Sequence, residues 1–173
     1  IKNLDYTAGV AVIDLDDFKI YNDTYGHNAG DAALITAANV IRDCIRKTDK
    51  LIRYGGDEFL LVLPGADEQS MENILRRIRR EINNADVHGY AKMKLSVSIG
   101  GVLSQNEQIE NAIAKADKLM YQAKSYKNMV VTEQDIIGES SEKENQPDRE
   151  KMKAQILIVD DAEINREFLS EIL

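Results

Sequence analysis

Two adjacent glycines, Gly55 and Gly56, stand between the apolar runs Leu51-Ile52 and Phe59-Leu60-Leu61-Val62-Leu63. A glycine pair so placed predicts a tight hairpin over about residues 50–63, because glycine tolerates the positive φ that short hairpin turns use. Pro64-Gly65 closes the second strand. The next two residues after the glycines are acids, Asp57 and Glu58, which the hairpin lifts to its tip on two buried strands. Neighbouring carboxylates on a rigid turn suit Mg²⁺, a hard cation that prefers oxygen ligands. A glycine backbone also admits a bulky ligand close to the chain. Taken alone, the turn reads as a solvated one with incidental acids.

The rest of the chain supplies a sheet and its cover. Residues 8–14 form a short apolar run ending in an acid, the pattern of a buried strand. A helix is expected over about 28–47, with Leu34, Ile35, Ala38, Ile41 and Ile45 on its core stripe. A further helix covers about 67–84, turning Met71, Ile74, Leu75, Ile78 and Ile82 inward. Residues 94–103 alternate, with Leu95, Val97 and Ile99 inward and Ser96 and Ser98 outward. A helix over about 107–126 uses Ile109, Ala112, Ile113, Ala116, Met120 and Ala123, and a short strand follows at 128–132. Strands and helices alternate, yet two strands are joined as a hairpin. The expected class is therefore α+β, with a mixed or antiparallel central sheet and helices packed on it.

Composition narrows the function. The 173 residues carry a net charge of −8, which argues against a partner bound through nucleic-acid phosphates. A nucleotide remains compatible, since a metal and a few lysines offset a triphosphate locally. No apolar run approaches the roughly 20 residues of a membrane helix, and no secretory signal is present. Cys44, the one cysteine, falls on a helix near Ile41 and Ile45 and reads as a buried inert thiol. A reducing, cytoplasmic setting is expected.

Beyond the hairpin motif Arg53-Tyr54-Gly55-Gly56-Asp57-Glu58-Phe59, further motifs recur in order. They are Val10-Ala11-Val12-Ile13-Asp14-Leu15-Asp16-Asp17-Phe18-Lys19, Asn22-Asp23-Thr24-Tyr25-Gly26-His27 with Gly30-Asp31, Ser96-Val97-Ser98-Ile99-Gly100, and Ala116-Asp117-Lys118-Leu119-Met120-Tyr121-Gln122-Ala123-Lys124. Together, across residues 5 to about 133, they resemble the GGDEF family of diguanylate cyclases. The resemblance implies a palm-like nucleotidyl-cyclase fold. It also implies condensation of two GTP into cyclic di-GMP with release of two pyrophosphates.

The resemblance assigns roles by position. Asp14, the backbone carbonyl of Leu15 and Asp57 would hold Mg²⁺, or Mn²⁺ in its place, with Glu58 in a supporting catalytic role. Lys19 and Lys124 would contact the phosphates, and Gly55 and Gly56 would let the substrate approach. Asn22 and Asp31 would read guanine, whose N1–H and N2–H₂ donors a carboxylate can accept as a pair. Each residue also has an ordinary reading: a strand-end acid, a solvated lysine, a loop amide, a helix cap. His27 is expected in the loop between Asn22 and Asp31, without a catalytic role.

Arg46-Lys47-Thr48-Asp49 matches the family's RxxD product-inhibition site at its usual distance before the hairpin, and Arg77 falls where a second product-binding arginine often stands. Arginine suits both phosphate and stacking on guanine. The ordinary alternative is a helix-terminal arginine with a capping aspartate. After Lys124 the family often has a glycine and an arginine. Here Ser125-Tyr126-Lys127-Asn128 stands instead, and Lys127 is without an assigned role.

The expected organisation is a cyclase domain over 1–134, a charged linker over 135–153 and a receiver-like start over 154–173. Gln155-Ile156-Leu157-Ile158-Val159-Asp160-Asp161 resembles the acid-ending first strand of a response-regulator receiver. The family's usual DxLTGLxNR-like segment would precede Ile1, so the domain is expected to be truncated at its N-terminal end. Catalysis would need a homodimer, because each domain holds one GTP. Two other readings stay open: a non-catalytic module sensing GTP or cyclic di-GMP, and a phosphorelay component.

Overall fold

A computed structural model describes residues 7–135; the linker and receiver-like segments lie outside them, except for Asp135. Five strands form one sheet: β1 (Thr7–Leu15), β2 (Lys50–Arg53), β3 (Glu58–Pro64), β4 (Val97–Gln105) and β5 (Val130–Thr132). Their order is β2-β3-β1-β4-β5. β1 lies in the middle, antiparallel to both β3 and β4, and β5 joins β4 in parallel. Among the described residues the named helices are α1 (Phe18–Tyr25), α2 (His27–Cys44), α3 (Glu68–Asn84) and α4 (Ile109–Lys124).

Strand alternation divides the core between the two sheet faces. Ala11, Ile13 and Leu15 of β1 join Phe59, Leu61 and Leu63 of β3 under α2 and α3. Val10, Val12 and Leu60 face the other way, beneath Ala112, Ala116, Leu119, Met120 and Ala123 of α4. Both faces of β1 are thus covered, which is why its sequence reads as a continuous apolar run. Gly100 and Gly101 serve one face each. A Cβ on Gly100 would collide with the α4 backbone at Ala116 and Met120, and one on Gly101 with the Leu75 side chain of α3.

Several expectations are corrected. The helix α1 was not anticipated, and His27 opens α2 rather than lying in a loop. Ile35 is 62% exposed and Ile109 also faces out, because the buried stripes of α2 and α4 run through Ala33, Ala37 and Leu119 instead. α2 stops at Cys44, with Ile45 already extended. β2 is a largely exposed edge strand, so the hairpin tip stands on one buried strand, β3, rather than two. Gly55 and Gly56 do not adopt positive φ; Gly65 does, at 68°. At Gly55 the constraint is one of space: a Cβ there would lie 2.6 Å from Glu58 Oε2 and would make that flexible side chain shift. Ser98 is fully buried, because its side of β4 faces α4 and the end of β1 rather than water.

Candidate active site

Asp14 belongs by alternation to the α4 side of β1, with Val10 and Val12. It pairs across the sheet with Glu58, the first residue of β3. The hairpin tip is tied to the end of β1 by a 3.2 Å bond from the Leu15 N–H to the Asp57 carbonyl. The turn is closed by Tyr54 N–H to the Glu58 carbonyl at 2.8 Å. The Arg53 guanidinium donates twice to the Gly56 carbonyl, at 3.2 and 2.7 Å. Asp57 and Glu58 lie close enough to Asp14 to raise its proton affinity.

Lys124, in the last turn of α4, donates to Asp14 Oδ2 at 2.9 Å. The other oxygen, Asp14 Oδ1, is buried with no hydrogen-bond partner among the described residues. Burial pushes the Asp14 carboxyl up to about 6, with Asp57 and Glu58 adding to the rise and Lys124 opposing it. At Lys124 burial works against the charge, but the bond to Asp14 and the field of the three acids raise its pKa overall. A groove of about 590 Å³ opens beside this cluster, lined by Glu58, Asp117, Lys118, Tyr121 and Lys124.

This donor set fits a hard divalent cation. A buried carboxylate oxygen left without a donor costs roughly 1–3 kcal/mol, which a cation would recover. Among the described residues no three His, Cys, Asp or Glu side chains gather as a closed metal cage. A site completed by backbone carbonyl, water and substrate oxygens is the arrangement Mg²⁺ favours.

α1 and α2 pack so that Asn22 meets Gly30, the residue before Asp31. The Asn22 side chain rests against Gly30, where a Cβ would overlap its amide oxygen. Gly30 therefore makes room for Asn22, and the next residue, Asp31, is exposed in the early part of α2. Lys19 is exposed near the start of α1.

Arg46 and Arg77 line one groove of about 540 Å³ between the end of α2 and α3, and Arg80 joins them. Arg77 donates to the Cys44 carbonyl. Asp49 is buried, and its Oδ2 accepts the Arg46 N–H at 2.7 Å. It thus closes a turn beyond α2 rather than capping the helix. The Cys44 thiol is buried and its pKa is pushed up, mainly by that burial, as befits an inert side chain.

Sequence reasoning missed Asp16. It is buried, and its carboxylate accepts from Ser98 Oγ at 2.6 Å, Ser96 Oγ at 2.8 Å and the Asn128 N–H at 2.8 Å. These bonds fasten the end of β1 to β4 and to the α4–β5 link. Lys127 pairs with Asp17 Oδ1 at 2.7 Å. The signal for Asp16 lay in the hydroxyls at 96 and 98, which mark a polar pocket only once β1 and β4 are known to be neighbours.

Fold and site together define a GGDEF domain: residues 2–129 match the family described as "Diguanylate cyclase, GGDEF domain", and the chain belongs to that family. Diguanylate cyclase A of Treponema denticola is 38% identical over 122 residues, covering 68% of this chain and 33% of that protein. The probable diguanylate cyclase DgcT of Escherichia coli is 35% identical over 134 residues, covering 75% of this chain and 30% of that protein. The chain thus spans about a third of the length of these relatives. Among solved structures, the diguanylate cyclase SiaD of Pseudomonas aeruginosa, in complex with its activator SiaC, superposes with a TM-score of 0.69 at 31% identity, covering 73% of this chain and 50% of that one. The GGDEF domain of DgcB from Caulobacter crescentus, in complex with c-di-GMP, gives 0.68 at 28% identity, covering 73% and 78%. Among the described residues no helix is long and apolar enough to cross a membrane.

Proposed function

We propose that residues 1–134 are a catalytic domain that condenses two GTP into cyclic di-GMP. The observation that carries this reading is Asp14: a buried carboxylate with one bare oxygen, beside Asp57, Glu58 and Lys124. Asp14, the Leu15 carbonyl and Asp57 would hold Mg²⁺ or Mn²⁺, with Glu58 at its side. When bound, the metal would lower the pKa of the attacking 3′-hydroxyl and neutralise charge on the leaving pyrophosphate.

The chain's own residues then bind and orient. Lys19 and Lys124 balance the triphosphate. Gly55 and Gly56 leave the turn without side chains against the nucleotide. Asp31 accepts from guanine N1–H and N2–H₂, with Asn22 completing the contact; adenine lacks that donor pair, so GTP is preferred. The 3′-hydroxyl of one GTP attacks the α-phosphorus of the other and expels pyrophosphate, and the same step repeated closes the ring. Each domain presents one GTP, so two copies must face each other.

The groove of Arg46, Arg77 and Arg80 is read as the product site, with Asp49 holding Arg46 in place. The relatives named as diguanylate cyclases support cyclase activity, and the DgcB complex supports an affinity for cyclic di-GMP. A cytoplasmic setting fits the single buried thiol. The polar stretch over 135–153 is read as a linker, and 154–173 as the start of a receiver domain.

Incubation with GTP and Mg²⁺ followed by chromatography tests the activity. Cyclic di-GMP should form, and Asp57→Ala should reduce it by at least about 100-fold while the melting temperature stays within a few degrees. GTP left unconsumed by the folded native chain, at concentrations high enough to pair domains, would leave a non-catalytic nucleotide-sensing module as the better reading.

A further inference from the structure

We propose that Lys124 is the resident counter-ion of Asp14, and that it yields this carboxylate to the metal only as a triphosphate arrives to take the lysine. The proposal rests on Asp14 as a metal ligand. Asp14 Oδ2 is occupied by the Lys124 ammonium at 2.9 Å. The aspartate side chain is 2% exposed, so a cation reaching its bare Oδ1 would sit directly beside the Lys124 ammonium on Oδ2. The lysine side chain is 43% exposed and comes from the last turn of α4, so its long stem can swing outward without disturbing packing.

An ammonium and a divalent cation on one carboxylate repel each other at contact distance, in surroundings that screen poorly. A metal entering alone must therefore evict Lys124 into water and lose its pairing energy. A metal entering with a triphosphate meets no such loss, because the phosphate oxygens give Lys124 a new partner. Metal and nucleotide affinities are then coupled, each strengthening the other by the same factor. The ion pair keeps the site closed to free divalent cations and orders the assembly of the substrate complex. Phosphate contact and metal exclusion become two positions of one side chain.

The test is Mn²⁺ uptake by the folded chain without nucleotide, read from the loss of the free Mn²⁺ signal in electron paramagnetic resonance. Lys124→Met should bind Mn²⁺ roughly tenfold more tightly than the native chain. Asp14→Asn should lose this binding, both alone and combined with Lys124→Met. Equal or weaker uptake by Lys124→Met, including uptake undetectable in both, would overturn the exchange while leaving Asp14 as a ligand. Uptake indifferent to Asp14→Asn would overturn the metal assignment itself. If Lys124→Met does not fold, acylation of Lys124 in the native chain answers the same question by mass spectrometry. Saturating Mn²⁺ should speed its labelling as the pair opens, and an unchanged rate would refute the exchange.

Discussion

The Ser98 hydroxyl donates a 2.6 Å hydrogen bond to Asp16 Oδ1 where both side chains are closed to water. Ser96 and the Asn128 N–H complete the set on Oδ2. Asp16→Ala would leave a buried hydroxyl and an N–H without an acceptor, costing roughly 2–4 kcal/mol of stability. Ser96→Ala, at a half-buried position where water can reach the carboxylate, should cost about 1 kcal/mol or less. Urea unfolding of the two variants would compare them, and equal losses would contradict the ranking.

Asp14 sets a pH dependence for the metal-free chain. Its folded pKa of about 6 lies above the ordinary 3.8, with burial the first cause. The native state therefore holds this proton more tightly than the unfolded chain, and stability falls as pH rises from about 4 to about 6, then levels off. Asp14→Asn cannot ionise and should remove that slope. It should gain on the order of 2 kcal/mol over the native chain at pH 8, after allowing for the lost Lys124 pair. A stability difference that does not change across this window would contradict the raised pKa.

The arginine groove predicts product affinity. Arg46→Ala should weaken cyclic di-GMP binding by about 10- to 100-fold, the usual loss for a charge-assisted contact. Inhibition of the cyclase should weaken in parallel. Arg77→Ala has the added effect of freeing the Cys44 carbonyl, so its melting temperature should drop while that of Arg46→Ala holds. Calorimetry with unchanged product affinity in Arg46→Ala would reduce the motif to a turn held by Asp49.

Assembly predicts a rate law. Two domains must meet for each product, so specific activity should rise with protein concentration. A dimeric coiled coil fused before Ile1 should raise it further by placing one domain at high effective concentration beside another. Constant specific activity across a wide dilution series, in a chain sedimenting as a monomer, would sink the two-copy mechanism.

The order of elements, α1 apart, was legible because the apolar periods differ between strands and helices. Met71, Leu75, Ile78 and Ile82 at helical spacing proved to be the buried face of α3. The motif acids were singled out through family resemblance, and the geometry sets Asp14 on Lys124 with Asp57 and Glu58 near enough to act on its charge. Other features depended on tertiary neighbours. Ile35 has the hydrophobicity of a core residue but sits on the outer side of α2, while the small Ala33 and Ala37 pack on its inner side. Gly55 avoids the Glu58 carboxylate rather than supplying an unusual dihedral. Ser98 has the polarity of a surface residue, yet Asp16 satisfies it inside. For Ser98 the deciding atom came from a distant segment, and for Gly55 from across the same turn.

The alternation along β1 makes the length of that strand a quantised property. One residue inserted or deleted between Val10 and Asp14 would turn the carboxylate toward α2 and α3, away from Lys124, and present an apolar side chain at the hairpin tip. A two-residue change would keep the face but carry Asp14 roughly 7 Å past Glu58. Neither gives a working site, so the interior of β1 can vary by substitution and not by length. By the same register argument, a change of length in this chain is tolerated only in the connections between elements.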